Sequence, residues 1–258
     1  MDRLAPILTA HQPLLVALSG GVDSSVLLAV AAELLGTDAV AAALIVSEGV
    51  TGDEQVRARR VAGQIGVRLY VAVEPLLDDP DYVANQADRC YHCRRHMYRN
   101  LRDIAVANAI PWIADGTQAD DAPSERPGFV AREEAGVIAP LWAAGWGKER
   151  IRAEAAARGL ITADVPANAC LASRLPTGTP VTLERLAEVA RAEAALHAAG
   201  LRQVRVRHHG HHARVELGPA DLATLPGGHL PAALEARVRA VGFTQITVAP
   251  YHQGHTEG

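Results

Sequence analysis

A chain of 258 residues has room for one large domain, or for an ordinary domain followed by a small one. Apolar residues make up 49% and aromatics only 4%, so a sizeable, mainly aliphatic core is expected. The formal charge of −4 gives no overall attraction to nucleic acid, and no apolar run reaches membrane-spanning length. Asp2 and Arg3 do not open a signal-peptide pattern, so a cytoplasmic protein without membrane or nucleic-acid partners is expected. Cys90, Cys93 and Cys170 are an odd number for a disulfide framework and point instead to chemistry or metal binding.

The run Leu14-Leu15-Val16-Ala17-Leu18 reads as a buried parallel strand. Ser19-Gly20-Gly21-Val22-Asp23-Ser24-Ser25 follows at once, and a helix runs from residue 24 to 35. Glycines let backbone approach a ligand closely, helix N-terminal amides attract phosphate, and the three serines add short donors. A Walker A loop is excluded, because its Gly-Lys-Ser/Thr ending is absent. Without that lysine, the loop is expected to hold a pyrophosphate leaving group.

A second buried strand is predicted over residues 39–46, a helix over 53–65, and a strand over 67–73. This alternation with short connections argues for a parallel sheet. Residues 74–84, with Pro75 and Pro80, read as loop. Arg89-Cys90-Tyr91-His92-Cys93-Arg94-Arg95 opens a helix to about Asn108, and residues 111–114 form a short strand. Asp115-Gly116-Thr117-Gln118-Ala119-Asp120-Asp121 then lies beyond a strand end, where ligands of doubly wound sheets bind. Asp120 and Asp121 could hold magnesium or orient a substrate; a solvated acidic turn is the alternative.

Arg126-Pro127-Gly128 reads as a turn, residues 136–141 as a short strand, and 147–158 as a charged helix. The segment from Val165 to Gly178 is bracketed by prolines and glycine and carries Cys170 beside Ser173 and Arg174. A nearby cation raises thiolate content, which favours a reactive cysteine over a buried structural one. An amphipathic helix over 182–199 then leads to strands over 203–207 and 214–217, a helix over 230–241 and a strand over 243–248. Arg205 and Arg207, two apart in a strand, share a face and could clamp a phosphate, unless that face is simply solvated. His208-His209-Gly210-His211-His212 reads as a polar hairpin turn rather than a metal site.

The Ser-Gly-Gly-x-Asp-Ser pattern resembles the PP-loop of ATP pyrophosphatases. Together with residues 89–94, 115–121, 126–128, 167–178 and 204–216, the chain resembles the LarE family of ATP-dependent sacrificial sulfur transferases. Ala-Cys-Leu-Ala-Ser-Arg-Leu-Pro is the most specific of these blocks. The resemblance implies an α/β fold with a doubly wound parallel sheet of the adenine nucleotide alpha-hydrolase (PP-loop) type over residues 1–175. A small α+β domain for substrate binding or oligomerisation would follow over 181–258.

It implies that ATP, held by Ser19, Gly20, Gly21, Val22, Asp23, Ser24, Ser25, Asp115 and Thr117, adenylates a carboxylate of a pyridinium-3,5-dicarboxylate mononucleotide. Cys170 would then form a thioester and leave its sulfur on the product, in nickel-pincer nucleotide cofactor biosynthesis. Ser173, Arg174 and Glu193 are the further catalytic candidates, and Arg205 and Arg207 the substrate-phosphate ligands. Magnesium (Mg2+) is expected near Asp23, Asp120 and Asp121, and a homo-oligomer is expected. An iron–sulfur cluster relay is the less favoured sulfur source. A tRNA-thiolating PP-loop sulfurtransferase and a non-catalytic ATP- or AMP-binding module are the competing functions.

Overall fold

The structure, a computed structural model, describes residues 3–121, 127–166 and 169–251. The chain forms two compact units, Met1–Leu76 with Asp88–Asn168, and Leu77–Ala87 with Ala169–Gly258.

The first unit holds α1 (Leu4–Thr9), β1 (Leu14–Ala17), α2 (Val22–Leu35), β2 (Val40–Val46), α3 (Gly52–Ile65) and β3 (Arg68–Val73). After α4 (Pro80–Val83), which belongs to the second unit, come α5 (Arg89–Ala107), β4 (Trp112–Ala114), α6 (Pro127–Glu134), α7 (Pro140–Ala143) and α8 (Lys148–Ala157). Its four strands are all parallel, in the order β3-β2-β1-β4, with Leu14 opposite both Val40 and Trp112. Strand order therefore reverses at β1, and the loops after β1 and β4 flank the switch point where such sheets bind ligands.

Alternation along β1 feeds two cores, which is why its sequence is apolar throughout. Leu14 and Val16 pack with Val26, Val30 and Ile151, whereas Leu15 packs with Tyr98 and Leu101 of α5. Helices on both faces make the sheet doubly wound. At α3, Thr51 and Glu54 form a reciprocal capping box, and Gly66 ends the helix in the left-handed region at φ 83°.

Three local expectations need correction. Residues 136–141 give only a bridge between Ala114 and Ile138, because Pro140, with no N–H to donate, starts α7 instead. Pro127 and Gly128 open α6 rather than a turn, a first-turn position that suits proline; Arg126 lies outside the described residues. Within 74–84, Asp79 caps α4, whose proline occupies the first turn.

The second unit holds α4, α9 (Leu183–Ala198), β5 (Val204–His209), β6 (His212–Leu217), α10 (Pro219–Leu222), α11 (Ala232–Arg239) and β7 (Gln245–Pro250). β5 and β6 are antiparallel and β6 and β7 parallel. Leu196, Val206, Val215, Val238 and Phe243 share its apolar core. Residues 77–87 join this unit through backbone: Val181 N–H donates to Val83 O at 2.9 Å and Gly178 N–H to Asn85 O at 2.8 Å. The dividing line falls at residues 168 and 169, ahead of the 175–181 boundary read from the sequence. The short 3-10 turn Leu171–Arg174 packs on α9 and β5, which places Cys170 in the second unit.

Candidate active site

In the first unit, the 19–25 loop closes on itself through its hydroxyls. Ser19 N–H donates to Ser24 Oγ at 3.3 Å, Gly21 N–H to Ser19 Oγ at 3.3 Å, and Ser25 Oγ–H to Gly21 O at 2.7 Å. Gly20 has φ +80°, and a Cβ there would run into the Glu54 carbonyl oxygen, so only glycine fits. α2 starts at Val22 behind Gly21, which has no side chain to cap the first turn. That leaves helix N-terminal amides for an anionic ligand. Arg57 of α3 donates to Gly20 O at 3.2 Å and brings a cation to the loop.

The two loops at the switch point touch. A Cβ on Gly116 would lie 2.8 Å from Ser24 N, so glycine lets the 115–121 loop pack directly on the start of α2. Asp115 is buried and receives Tyr98 Oη–H at 2.7 Å and Thr117 N–H at 3.0 Å, with Arg94 at 3.4 Å. Burial first, and the Asp115 charge second, push the Tyr98 phenol far above its ordinary value, so it stays a donor. Thr117 is buried beside Asp115, and both therefore shape the loop from beneath.

The sequence reading missed Lys148, the only lysine in the chain. Its Nζ donates to both oxygens of Asp23, at 2.8 and 2.7 Å. The cation that a Walker loop would carry in sequence thus arrives from the start of α8, 125 residues away. The signal for it was present: one lysine among 25 basic residues, just after a Gly-Trp-Gly break. A compact ammonium there can neutralise charge on a polyphosphate. Lys148→Ala is expected to lower ATP-driven pyrophosphate release about tenfold or more, from one lost charge-assisted contact of about 1.5–3 kcal/mol. A coupled pyrophosphate assay checks this, and an unchanged rate would remove Lys148 from the site.

The carboxylates expected near magnesium are otherwise engaged. Asp120 Oδ2 accepts the Lys148 N–H at 2.7 Å and caps α8, and Asp121 Oδ2 accepts the Gln118 N–H at 3.1 Å. Ligand atoms of Asp23, Asp120 and Asp121 do not gather within 4.8 Å of one another. That arrangement fits Mg2+ held chiefly by phosphates and water rather than in an all-protein cage of these three carboxylates. Cys90 and Cys93 lie half-buried in the first two turns of α5.

In the second unit, Cys170 is exposed and immediately precedes the 3-10 turn; Ala167 and Asn168 lie outside the described residues. Arg174, 1% exposed, holds the backbone around it. Its Nη1 donates to Ala169 O at 2.6 Å, Cys170 O at 3.3 Å and Ser173 Oγ at 3.0 Å. Its Nε and Nη2 form a two-point contact with Glu193 at 2.9 and 3.2 Å. Burial opposes the Arg174 charge, but Glu193 outweighs it and holds the guanidinium above its ordinary value, with Cys170 adding to the effect. Glu193 Oε1 also accepts the Val206 N–H at 2.9 Å, so this acid ties the cysteine loop to β5.

Arg207 makes the second tie: its Nη1 donates to Ser173 O at 2.8 Å and its Nε to Glu216 Oε2 at 3.2 Å. Arg205 donates to Tyr251 Oη at 2.6 Å, with its guanidinium 4.6 Å above the tyrosine ring. Burial, then repulsion from Arg174 and Arg207, lowers the Arg205 pKa despite the tyrosine. Arg205 and Arg207 are both buried, so the simple solvated face does not describe them. The structure thus brings Cys170, Ser173, Arg174, Glu193, Arg205 and Arg207 into one network. Glu216, fully buried, is the member that the sequence reading left out.

Residues 5–102 match the family model described as asparagine synthase. The chain is 37% identical, over 81% of its own length and 77% of its relative's, to an uncharacterized protein of Synechocystis sp.. It is 36% identical to the pyridinium-3,5-bisthiocarboxylic acid mononucleotide synthase of Lactiplantibacillus plantarum, over 82% of this chain and 76% of that protein. An uncharacterized protein of Methanocaldococcus jannaschii is 24% identical over 80% of this chain and 78% of its own.

Proposed function

Since this chain belongs to the LarE family of ATP-dependent sulfur transferases, we propose that it places sulfur on a carboxylate of a pyridinium dicarboxylate mononucleotide. The carboxylate attacks the α-phosphorus of ATP at the 19–25 loop, giving an acyl-adenylate and pyrophosphate. The Cys170 thiolate then attacks the activated carbonyl, AMP leaves, and a thioester forms. A base removes the Cα proton of Cys170, the Cβ–sulfur bond breaks, and the electron pair leaves with the thiocarboxylate product. Dehydroalanine stays at position 170, so each thiol serves once. The product feeds the making of a nickel-binding nucleotide cofactor.

The observation that carries this reading is the exposed Cys170 on a loop whose carbonyls are gripped by a buried Arg174. A cysteine kept only for packing would be buried, and its backbone would not need a dedicated guanidinium. Magnesium, when bound with ATP, supplies charge neutralisation on the phosphates. The protein's own part is to orient: hydroxyls and amides of the 19–25 loop for the phosphates, and Glu193 and Arg174 for the thiol-bearing backbone.

ATP is expected to be split between its α- and β-phosphates. Phosphorus NMR of a reaction with the mononucleotide should show AMP and pyrophosphate in equal amounts. ADP with orthophosphate would contradict the adenylation step, and pyrophosphate release that depends on tRNA would contradict the mononucleotide substrate and favour the tRNA-thiolating reading.

A further inference from the structure

The three-stranded sheet of the second unit separates its side chains by face. Val204, Val206, Ala213, Val215 and Leu217 turn to the apolar core. Arg205, Arg207, Arg214 and Glu216 project from the opposite face, because the antiparallel register sets Arg205 opposite Glu216 and Arg207 opposite Arg214. Three guanidiniums therefore share a face with one carboxylate.

Two of the three are buried and already committed to Tyr251, Glu216 and Ser173. Arg214 differs. Its side chain is 35% exposed, and among the described residues it makes an ion pair without a hydrogen bond: its Nε stands 3.9 Å from Glu216 Oε1. That oxygen is buried and accepts no hydrogen bond among the described residues. Arg214 is thus placed by an ion pair alone, with its side chain partly exposed.

We propose that Arg214 is the third cation of the anion site and the one that selects a phosphate monoester. The proposal rests on the reading that Arg205 and Arg207 take the substrate's phosphate. Arg205, Arg207 and Glu216 together leave a single net positive charge. Arg214 raises it to two, which matches a monoester carrying nearly two negative charges above its second pKa of about 6. A diester, with one charge, would be satisfied without Arg214. Its exposure makes it the first of the three to meet an incoming phosphate and the easiest to redirect, since no hydrogen bond has to be broken.

Titration calorimetry with nicotinic acid mononucleotide, its phosphate methyl ester and the phosphate-free riboside tests this. Arg214→Gln is expected to weaken monoester binding about tenfold, to change methyl-ester binding far less, and to leave riboside binding unchanged. Arg214→Lys should recover most of the loss, since charge rather than shape is at stake. The side chain is partly exposed and makes no hydrogen bond among the described residues, so both variants are expected to fold, and near-native amide exchange in β5 and β6 checks it. Monoester affinity that survives Arg214→Gln but falls in Arg205→Ala would overturn the role of Arg214 and keep the phosphate face. Affinity that survives Arg205→Ala and Arg207→Ala as well would overturn the phosphate face itself.

Discussion

Cys170→Ala is expected to release pyrophosphate normally and to transfer no sulfur at all. The substitution removes only an exposed thiol. Arg174 binds the carbonyl oxygens of residues 169 and 170, which alanine keeps, so the loop retains its anchors. In the proposed mechanism adenylation takes place at the 19–25 loop, which lies in the other unit and which this change does not alter. Accumulated acyl-adenylate, trapped with hydroxylamine as the hydroxamate, should therefore replace the thiocarboxylate. Cys90→Ser and Cys93→Ser should each retain one round of transfer. Thiocarboxylate formed by Cys170→Ala would mean that the sulfur comes from elsewhere.

The second large effect is expected from Arg174→Met. Removing one partner of a buried ion pair leaves the other charge without compensation, at a cost of about 3–5 kcal/mol. Glu193 would keep the Val206 N–H but lose both contacts to the guanidinium. Arg174→Lys should not rescue, because one ammonium cannot reach Glu193 twice and two carbonyls besides. All three tryptophans, Trp112, Trp142 and Trp146, lie in the first unit, so their fluorescence reports that unit alone. Amide exchange in α9 and β5 should lose protection while the tryptophan transition in urea stays put. Unchanged exchange would show that the clamp carries no weight.

Much of the first unit was legible because its signals are local. An unbroken apolar strand running into Ser19-Gly20-Gly21 can be read without knowing its neighbours, and so can strand–helix alternation. The same-face relation of Arg205 and Arg207 follows from the period of a strand. Their burial does not, because it depends on Tyr251 and Ser173 arriving from either side in sequence. The pairing of Lys148 with Asp23 spans 125 residues and leaves no periodic trace. Residues 77–87 joined the second unit through Val83 and Asn85 backbone, contacts that composition cannot announce. Residues 136–141 depart from the predicted strand because a short apolar run fits either strand or helix, and the proline at 140 decides for helix.

Glu193 illustrates a different gap. Family resemblance nominated it as an active-site acid, and the structure engages both of its oxygens with Arg174 and Val206. Its visible work is to fix where the thiol-bearing backbone sits relative to β5. Ser173 likewise contributes through its carbonyl to Arg207 and its hydroxyl to Arg174.

A protein that gives up its own sulfur becomes lighter by a defined mass, which intact-mass spectrometry reads. The chain should be weighed before and after incubation with ATP, magnesium and the pyridinium dicarboxylate mononucleotide, then digested. A protein lighter by one hydrogen sulfide is expected, with dehydroalanine at position 170 and one thiocarboxylate per chain. Thiocarboxylate product from protein that keeps its mass and an intact thiol at 170 would contradict it.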